Sequence, residues 1–303
     1  MGLVHNRVVL VTGASRGAGK GIALGLAKGA TVYVTGRTAF EGEHDQGLPG
    51  TVHATAEAIN ERGGIGVAVV CDHSDDEQVE ALFERIEKDS GRLDVLVSNA
   101  IALPPKSPGG RGFWEMPLQP ELEVLNVGLR SHYVSDYYAA RMMVGQGEGL
   151  IVHTSSPGAR THLPGVHTPP YGAGKAGSDK MIYDMACELR AHGVAALSIW
   201  IGLLMTERMT ANVAHGNAPR TGLFPGTETP EFVGRVIDAL ANDPEILARS
   251  GRAFYSPELG EEYGIVDVDG STPPSYHAWL GAPSEFTDVS PTYAEFLASG
   301  HAT

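Results

Sequence analysis

The sequence predicts a single α/β domain, a doubly wound parallel sheet with helices on both faces. Three observations support this prediction: short runs rich in Val, Ile and Leu, longer amphipathic stretches between them, and a glycine-rich turn directly after the first run. The apolar runs do not alternate strictly with polar residues, as expected for strands that are covered on both faces. The chain has 303 residues, of which 42% are hydrophobic, so one large domain of this kind can bury a substantial core.

The strands and helices follow one another along the first part of the chain. The predicted strands are RVVLVT (7–12), TVYVT (31–35), GVAVV (66–70), LDVLVS (93–98), LIVHTS (150–155), VAALSIW (194–200) and RAFYS (252–256). Helical patterns between them include residues 74–91, 121–147 and 171–193. Ser74 and Glu77 have the spacing of a capping box at the first of these helices, and Gly91 marks its end. Pro170 would lie in or next to the first turn of the third, where its missing N–H costs little.

The pattern becomes less regular beyond the sixth strand. Residues 203–226 are predicted to form a flap over the substrate, followed by a short helix after Thr229 and Pro230. We expect residues 1–255 to form the domain, and residues 256–303 to form an extension packed on it or on a neighbouring subunit.

Composition argues against several classes of function. The formal net charge of −14 disfavours binding to nucleic acid or to an anionic membrane, since both need a basic surface. No stretch is long and apolar enough to span a membrane, and the first residues lack the pattern of a signal peptide. Two cysteines, Cys71 and Cys187, are too few for a disulfide framework or a thiolate metal site. We expect a cytoplasmic protein that binds a small molecule.

The glycine-rich turn VTGASRGAGKG joins the first strand to the first helix. Gly13, Gly17 and Gly19 would allow a tight turn and a close approach of the backbone to a pyrophosphate, which the helix N-terminus would stabilise. Ser15 and Ala18 lie in the same turn and would contact the same group. A strand before the glycines and a helix after them are the context in which this motif binds a dinucleotide.

Two other motifs share these residues. A P-loop would require glycine at the position of Ala14 and Ser or Thr at the position of Gly21. The sequence therefore departs from the P-loop motif at two positions. The letters GASRG also match the nucleophile elbow of serine hydrolases, with Ser15 as the nucleophile. Such an elbow follows several strands, whereas this turn follows the first. A serine hydrolase is therefore the weaker alternative.

The end of the second strand favours NADP over NAD. An NAD-binding fold usually carries an acidic residue there, whereas this chain has Gly36 and then Arg37. Arg37 and Arg16 would bind a 2′-phosphate through charge-assisted hydrogen bonds; the alternative is that both are solvated surface residues. Asp72, at the end of the third strand, could accept from the adenine amine or cap the following turn. We expect NADP as the cofactor, with NAD as the alternative.

Taken in order, the motifs resemble those of the classical short-chain dehydrogenases/reductases over roughly residues 5–255. Residues 12–19 match the Thr-Gly-x-x-x-Gly-x-Gly turn, and residues 98–101 match the Asn-Asn-Ala-Gly motif. Tyr171 and Lys175 match the Tyr-x-x-x-Lys pair. The phrases GFWEMP, LIVHTSSPG and EEYGIVDVDG further resemble the member 1 type of this family, which implies an NADPH-linked carbonyl reductase, for example of bulky apolar ketones.

The resemblance implies a Rossmann fold, a homodimer or homotetramer, and hydride transfer between a ketone or aldehyde and an alcohol. Tyr171 would exchange a proton with the substrate oxygen, and Lys175 would lower the pKa of that tyrosine and hold the nicotinamide ribose. Ser155 would hydrogen-bond the substrate oxygen, and Asn126 would anchor a water leading to solvent. Further cofactor contacts implied by the family's pattern are Asn99, Gly202 and Thr206.

Three departures from the family's pattern concern the site. Ile101 replaces the last glycine after the fourth strand, and Ile201 replaces the proline after the sixth, where φ would otherwise be fixed. The segment before Tyr171 is longer than in the family and should bulge into the substrate mouth. Ser156 is therefore a second candidate, beside Ser155, for the serine role.

Three histidines, His153, His162 and His167, raise the question of a zinc site. No His-Glu-x-x-His pattern or cysteine cluster accompanies them, so we expect no metal. Met205 and Met209 in the flap are predicted to provide adaptable packing against the substrate.

The main alternative from another functional class is a non-catalytic, nucleotide-sensing protein with the same fold. The complete set of serine, tyrosine, lysine and asparagine disfavours that alternative. The sequence leaves the substrate and its stereochemistry open, because they depend on the irregular segments 101–118, 156–169 and 203–226.

Overall fold

The computed structural model describes residues 7–43, 47–104, 108–214 and 226–287. Parts of three predicted segments lie outside the described residues. These are the middle of the flap (215–225), a short piece of the loop after the fourth strand (105–107) and the end of the C-terminal extension (288–303).

Within the described residues, seven parallel strands form one sheet in the order β3-β2-β1-β4-β5-β6-β7. They are β1 (Arg7–Val11), β2 (Ala30–Gly36), β3 (Ile65–Val70), β4 (Val95–Ser98), β5 (Gly149–Ser155), β6 (Val194–Trp200) and β7 (Ala253–Tyr255). The predicted doubly wound sheet is confirmed, and each strand lies close to its predicted position. The strand order reverses between β1 and β4, and open sheets of this kind bind ligands in the crevice outside that point.

Helices surround the sheet. In the described ranges they are α1 (Gly17–Gly25), α2 (Val52–Glu61), α3 (Asp76–Ser90), α4 (Leu118–Leu125), α5 (Ser131–Gln146), α6 (Pro169–Leu189), α7 (Glu207–Ala214), α8 (Pro230–Ala241), α9 (Ile246–Arg249), α10 (Ser256–Tyr263) and α11 (His277–Leu280). A π-helical turn, Asn126–Arg130, joins α4 to α5, so the helix predicted over 121–147 is divided by one wide turn.

Two apolar cores cover the two faces of the sheet. Val9 and Val11 belong to the core that includes residues of α1 and α8, whereas Val8 and Leu10 belong to the core that includes residues of α3, α5 and α6. Successive side chains of a strand point to opposite faces. Because both faces are covered, both sets are apolar, and this is why the strands appear in the sequence as continuous apolar runs.

Two helix starts test the predicted caps. The capping box predicted from Ser74 is wrong, because Asp75 is the N-cap of α3 and accepts from the N–H groups of Glu77 and Gln78. The start of α6 agrees with the prediction: Thr168 is the N-cap, and prolines occupy the first turn. Asp75 accepts directly from two N–H groups, so no reciprocal box with Ser74 is needed.

The described part of the C-terminal extension packs on the domain. The Tyr255 hydroxyl of the domain donates to the carbonyl oxygen of Gly281 at 2.8 Å, and Arg160 donates to the carbonyl oxygen of Ala282 at 2.8 Å. Tyr133 and Tyr137 on α5 are 56% and 48% exposed, and the homodimer or homotetramer that would cover this face stays a prediction. None of the helices in the described ranges is both long and apolar enough to cross a membrane.

Candidate active site

The glycine-rich turn between β1 and α1 forms a backbone cradle at the carboxyl end of the sheet. Gly13 and Gly17 have φ values of 66° and 62°, in the left-handed region that favours glycine. A Cβ at Gly19 would lie 2.3 Å from the carbonyl oxygen of Gly13, so a side chain there would force the turn and the helix apart. The turn therefore keeps its backbone open to a ligand.

Asn99 and Thr12 hold this cradle against the end of β4. The Asn99 side-chain amide donates to the carbonyl oxygens of Thr12 at 2.8 Å and of Gly13 at 3.3 Å. The backbone N–H groups of Asn99 and Ala100 donate to the Thr12 hydroxyl at 2.8 and 3.0 Å. Asn99 thus positions the glycine turn from the neighbouring strand.

A cavity of about 540 Å³ runs from the cradle to the start of α6. The candidate cofactor residues named from the sequence all line it: Gly13, Ser15, Arg16, Gly17, Ala18, Gly19, Arg37, Asp72, Asn99, Tyr171, Lys175, Gly202 and Thr206. Residues far apart in the chain meet here because parallel strands bring their carboxyl ends to one edge. Ser156 also lines the cavity.

Tyr171 faces Ser156 at the inner end of the cavity. The Tyr171 hydroxyl donates to Ser156 Oγ at 3.0 Å, and its ring stacks on His167 with the centroids 5.3 Å apart. Burial raises the pKa of Tyr171, and the hydrogen bond with Ser156 acts in the opposite direction. The phenol therefore keeps its proton at neutral pH, contrary to the lowered pKa expected from the sequence.

The Lys175 ammonium is hydrogen-bonded to the backbone at the end of β5. Its Nζ donates to the carbonyl oxygen of Thr154 at 2.7 Å and lies 5.7 Å from the centroid of the Tyr171 ring. Burial lowers the pKa of Lys175 to about 8, while the nearby Asp179 acts in the opposite direction. The ammonium is thus directed towards the end of β5 and not bonded to the phenol.

Ser155 points away from the cavity. Its side chain is fully buried, and its Oγ donates to the carbonyl oxygen of Lys175 at 3.4 Å. Adjacent residues at the end of a strand face opposite sides, so Ser155 and Ser156 cannot both face the ligand. The geometry therefore does not support Ser155 in the substrate-facing role, and it favours Ser156.

Asn126 begins the π-helical turn between α4 and α5. Its side-chain amide donates to Glu123 Oε2 at 3.3 Å, and its carbonyl oxygen accepts from the N–H of Ser131. π-Helical turns occur frequently at functional sites because they widen the backbone locally. The water-anchoring role of Asn126 stays a prediction.

The arginines at the outer end of the cavity differ in their surroundings. Arg16 donates to the carbonyl oxygens of Pro49 at 3.1 Å and Gly50 at 2.7 Å, so it also holds the loop before α2. Arg37 is about half exposed, and its Nη1 lies 3.9 Å from Asp72 Oδ2. Arg208 on α7 lines the same cavity and was not identified from the sequence.

Asp72 caps the turn after β3, one of its two predicted roles. Its Oδ1 accepts from the backbone N–H of Ser74 at 2.9 Å and from the Ser74 hydroxyl at 2.7 Å. His73 beside it is buried, and its Nε2 lies 2.7 Å from the Thr35 hydroxyl. Burial lowers the pKa of His73 to about 4, so this ring is neutral where it lines the cavity.

The turn after β6 is held by a buried carboxylate in place of the family's proline. The N–H of Gly202 donates to Glu228 Oε1 at 2.6 Å. Burial raises the pKa of Glu228 to about 7. Thr206 is used as a cap, because its hydroxyl accepts from the N–H of Met209 at 3.3 Å in the first turn of α7. Ile201 lines the cavity next to Gly202.

Ile101 is accommodated by the π-helical turn. A Cβ at Gly128 would lie 3.0 Å from the Ile101 side chain, so the glycine leaves room for it. Tyr276 and Leu280 of the C-terminal extension also line the cavity, and the sequence did not identify them. They lie outside the motifs identified in the sequence, and no local pattern could have placed them here.

Two of the three histidines considered as metal ligands have other partners. His153 Nε2 lies 2.7 Å from Asp136 Oδ2, and His167 Nδ1 lies 3.1 Å from the carbonyl oxygen of Thr161. Over the described ranges, no group of three or more His, Cys, Asp or Glu side chains is arranged to hold a metal ion.

The motifs and the cavity agree with a comparison against protein families. Residues 7–217 match the family model described as short chain dehydrogenase. This chain belongs to the short-chain dehydrogenase family. The resemblance seen in the sequence is thereby confirmed, and members of this family are oxidoreductases.

Individual members of the short-chain dehydrogenase family are similar over most of the chain. Dehydrogenase/reductase SDR family member 1 of Mus musculus is 43% identical over 297 residues, covering 94% of this chain and 91% of that protein. The Homo sapiens protein of the same name is 42% identical and covers 88% and 85%. A solved structure of a putative NAD(P) dependent gluconate 5-dehydrogenase from Beutenbergia cavernae, with NADP bound at low occupancy, has a TM-score of 0.69 and 27% identity, covering 84% of this chain and 96% of that one.

Proposed function

We propose that this protein is an NADP(H)-dependent oxidoreductase that interconverts a ketone or aldehyde and an alcohol, with Tyr171 as the acid and base. The observation that carries the proposal is the hydrogen bond between Tyr171 and Ser156 at the inner end of a cavity that begins at the glycine cradle. Lys175 is on the same helix as Tyr171, and its Nζ lies 5.7 Å from the centroid of the Tyr171 ring. This arrangement offers a proton donor and a hydrogen-bonding hydroxyl to one substrate oxygen.

The cradle fits a dinucleotide. A Cβ at Gly13 would meet the backbone of Ala100 at 2.8 Å, so the site depends on bare backbone at the position where phosphates approach. Gly13, Gly17 and Gly19 would hold the pyrophosphate, and Arg37 with Arg16 the 2′-phosphate. When bound, the nicotinamide supplies the hydride for reduction or accepts it in the reverse direction.

The proton steps belong to the protein's own side chains. A protonated phenol can donate to the substrate oxygen during reduction, and the raised pKa of Tyr171 favours that form. Ser156 Oγ, 3.0 Å from the phenol, would hydrogen-bond the same oxygen while charge develops on it. The Lys175 ammonium, next to the ring, would stabilise the phenolate left behind.

The lining of the cavity is mainly apolar, which supports a bulky apolar carbonyl compound as the substrate class. Its apolar wall is formed by Leu103, Leu163, Val166, Leu203, Met209 and Leu280. Met209 agrees with the packing role predicted for the flap methionines, whereas Met205 is not one of the residues that line this cavity.

Ser156→Ala is expected to lower kcat for ketone reduction by about a hundredfold, because it removes one hydrogen bond to the developing oxyanion. Ser155→Ala is expected to keep kcat within about threefold, because that hydroxyl faces the Lys175 carbonyl and not the cavity. Steady-state kinetics of the two variants with one ketone provides the measurement. A large loss of kcat with Ser155→Ala and no loss with Ser156→Ala would show that Ser155, and not Ser156, hydrogen-bonds the substrate oxygen.

NADPH is expected to bind at least about tenfold more tightly than NADH, since hydrogen bonds to a charged phosphate contribute roughly 1.5–3 kcal/mol each. Arg37→Ala should reduce that preference by weakening NADPH binding alone, which calorimetric titration can measure. Arg85→Ala, which removes an exposed arginine paired with Asp89 on α3, is the matched control for the lost charge. Equal affinities for both cofactors in the unchanged protein would exclude Arg37 from the phosphate site.

A further inference from the structure

The flap helix α7 is tied to the glycine cradle by Glu207. The backbone N–H of Gly17 donates to Glu207 Oε2 at 2.8 Å, and Lys20 Nζ lies 3.9 Å from Glu207 Oε1. Gly17 is the first residue of α1 and Glu207 the first residue of α7, and 190 positions separate them in the sequence. A carboxylate from the flap therefore lies at the N-terminus of the helix that follows the cradle.

Helix α1 has no cap of its own. Its N-cap residue, Arg16, makes no side-chain hydrogen bond to the helix, and its first turn contains no acidic residue. Other helices around the sheet are capped locally by the side chains of Thr51, Asp75, Thr168 and Thr229. The first N–H groups of a helix lack partners within it and carry partial positive charge. Glu207 supplies to α1 the acceptor that the other helices obtain from their own N-cap.

The same N–H group belongs to the set that a dinucleotide's pyrophosphate would use. A carboxylate and a phosphate are both anions that accept from N–H, and they cannot occupy one position together. We propose that Glu207 is a built-in competitor of the cofactor, which holds α7 on the cradle until the pyrophosphate displaces it. Cofactor binding then releases α7 from the cradle. This inference rests on the proposed function only for the identity of the ligand.

The surroundings of Glu207 favour such an exchange. Its side chain is 26% exposed, so it can leave for solvent without stranding a buried charge. Lys20 stays at the cradle, and Arg16 lines the same cavity, so positive charge remains for the incoming phosphates. Thr206 caps α7 independently of Glu207, so the helix itself can persist after the carboxylate leaves.

Calorimetric titration of the full chain tests the competition with four ligands. Glu207→Ala is expected to bind NADPH, NADH and adenosine 2′,5′-bisphosphate about five- to tenfold more tightly than the unchanged protein, since each carries a phosphate on the 5′ oxygen. Adenosine 2′-monophosphate, which lacks that phosphate, should bind equally to both. Glu207→Gln, which keeps an acceptor but loses the charge, should give a smaller gain for the first three ligands.

Glu77→Gln is the matched control, because it removes an exposed carboxylate from the first turn of α3, away from the cavity. An equal gain in affinity for the 5′-phosphate ligands with Glu77→Gln would mean that the effect comes from net charge. An equal gain in affinity for adenosine 2′-monophosphate with Glu207→Ala would mean the same. Either result would overturn the inference. Unchanged or weaker binding of the 5′-phosphate ligands by Glu207→Gln, with its melting temperature retained, would also overturn it, even if Glu207→Ala does not fold.

The titrations separate this inference from the proposed function. If Glu207→Ala shows the expected gain in affinity but the unchanged protein reduces no carbonyl compound, the competition by Glu207 is supported and the proposed oxidoreductase activity is rejected. If the unchanged protein reduces ketones but Glu207→Ala shows no gain in affinity, only the competition by Glu207 is rejected. If none of the four ligands binds, the cofactor itself is wrong, and both proposals fail.

Discussion

Tyr171→Phe is expected to lower kcat for ketone reduction by about a thousandfold, because general acid–base catalysis of this kind contributes roughly 10²–10⁴-fold. The substitution removes only the hydroxyl that meets Ser156, and the phenyl ring can still stack on His167. The Kd for NADPH should therefore stay within about twofold. Single-turnover kinetics for the rate and calorimetry for the Kd provide the two measurements.

Tyr133→Phe on the exposed face of α5 is the matched control and should leave both quantities unchanged. Wild-type rates with Tyr171→Phe would contradict the proposed chemistry directly. If the unchanged protein binds NADPH but reduces no member of a broad panel of ketones and aldehydes, the non-catalytic, nucleotide-sensing alternative becomes the better description. Ester hydrolysis that is lost with Ser15→Ala would instead revive the serine hydrolase.

Asp136→Ala is expected to lower the free energy of unfolding by about 3–5 kcal/mol, because it leaves a buried polar cluster without its central partner. Asp136 accepts from Ser98 at 2.9 Å and lies 2.7 Å from His153, whose other ring nitrogen lies 2.7 Å from Ser178. All four side chains are buried. The cluster thus joins β4, β5, α5 and α6 directly behind the proposed active site.

Equilibrium unfolding in urea would measure this loss. Asp184→Ala, which breaks the exposed Lys180–Asp184 pair on α6, is the control and should cost at most about 1 kcal/mol. A loss as small as that of the control would mean that the buried cluster does not stabilise the junction of these four elements. A large loss of unfolding free energy would also indicate that His153, one of the three histidines considered as metal ligands, stabilises the core.

The order of elements and much of the site could be predicted from sequence because their causes are local. Apolar runs without alternation predict strands covered on both faces, and the sheet shows both faces covered. Gly13 and Gly17 after β1 have positive φ values, in the left-handed region that favours glycine. The prolines after Thr168 start the helix on which Tyr171 and Lys175 share one face.

Other features were decided only by the tertiary structure. A shift of one residue at the end of a strand turns a side chain to the opposite face, so the letters SS could not show whether Ser155 or Ser156 meets Tyr171. The direction of the Tyr171 pKa shift depends on burial and on where the Lys175 ammonium points, and neither is encoded by their spacing.

The contact between Glu207 and Gly17 could not be predicted from the sequence either, because it joins two helix ends that are distant along the chain. The sequence by itself therefore determined the family, the sheet and the candidate cofactor residues that line the cavity, since those follow from local pattern and from the convergence of parallel strand ends. Only the fold decided which side chains face one another there, because orientation and burial arise from packing between distant segments.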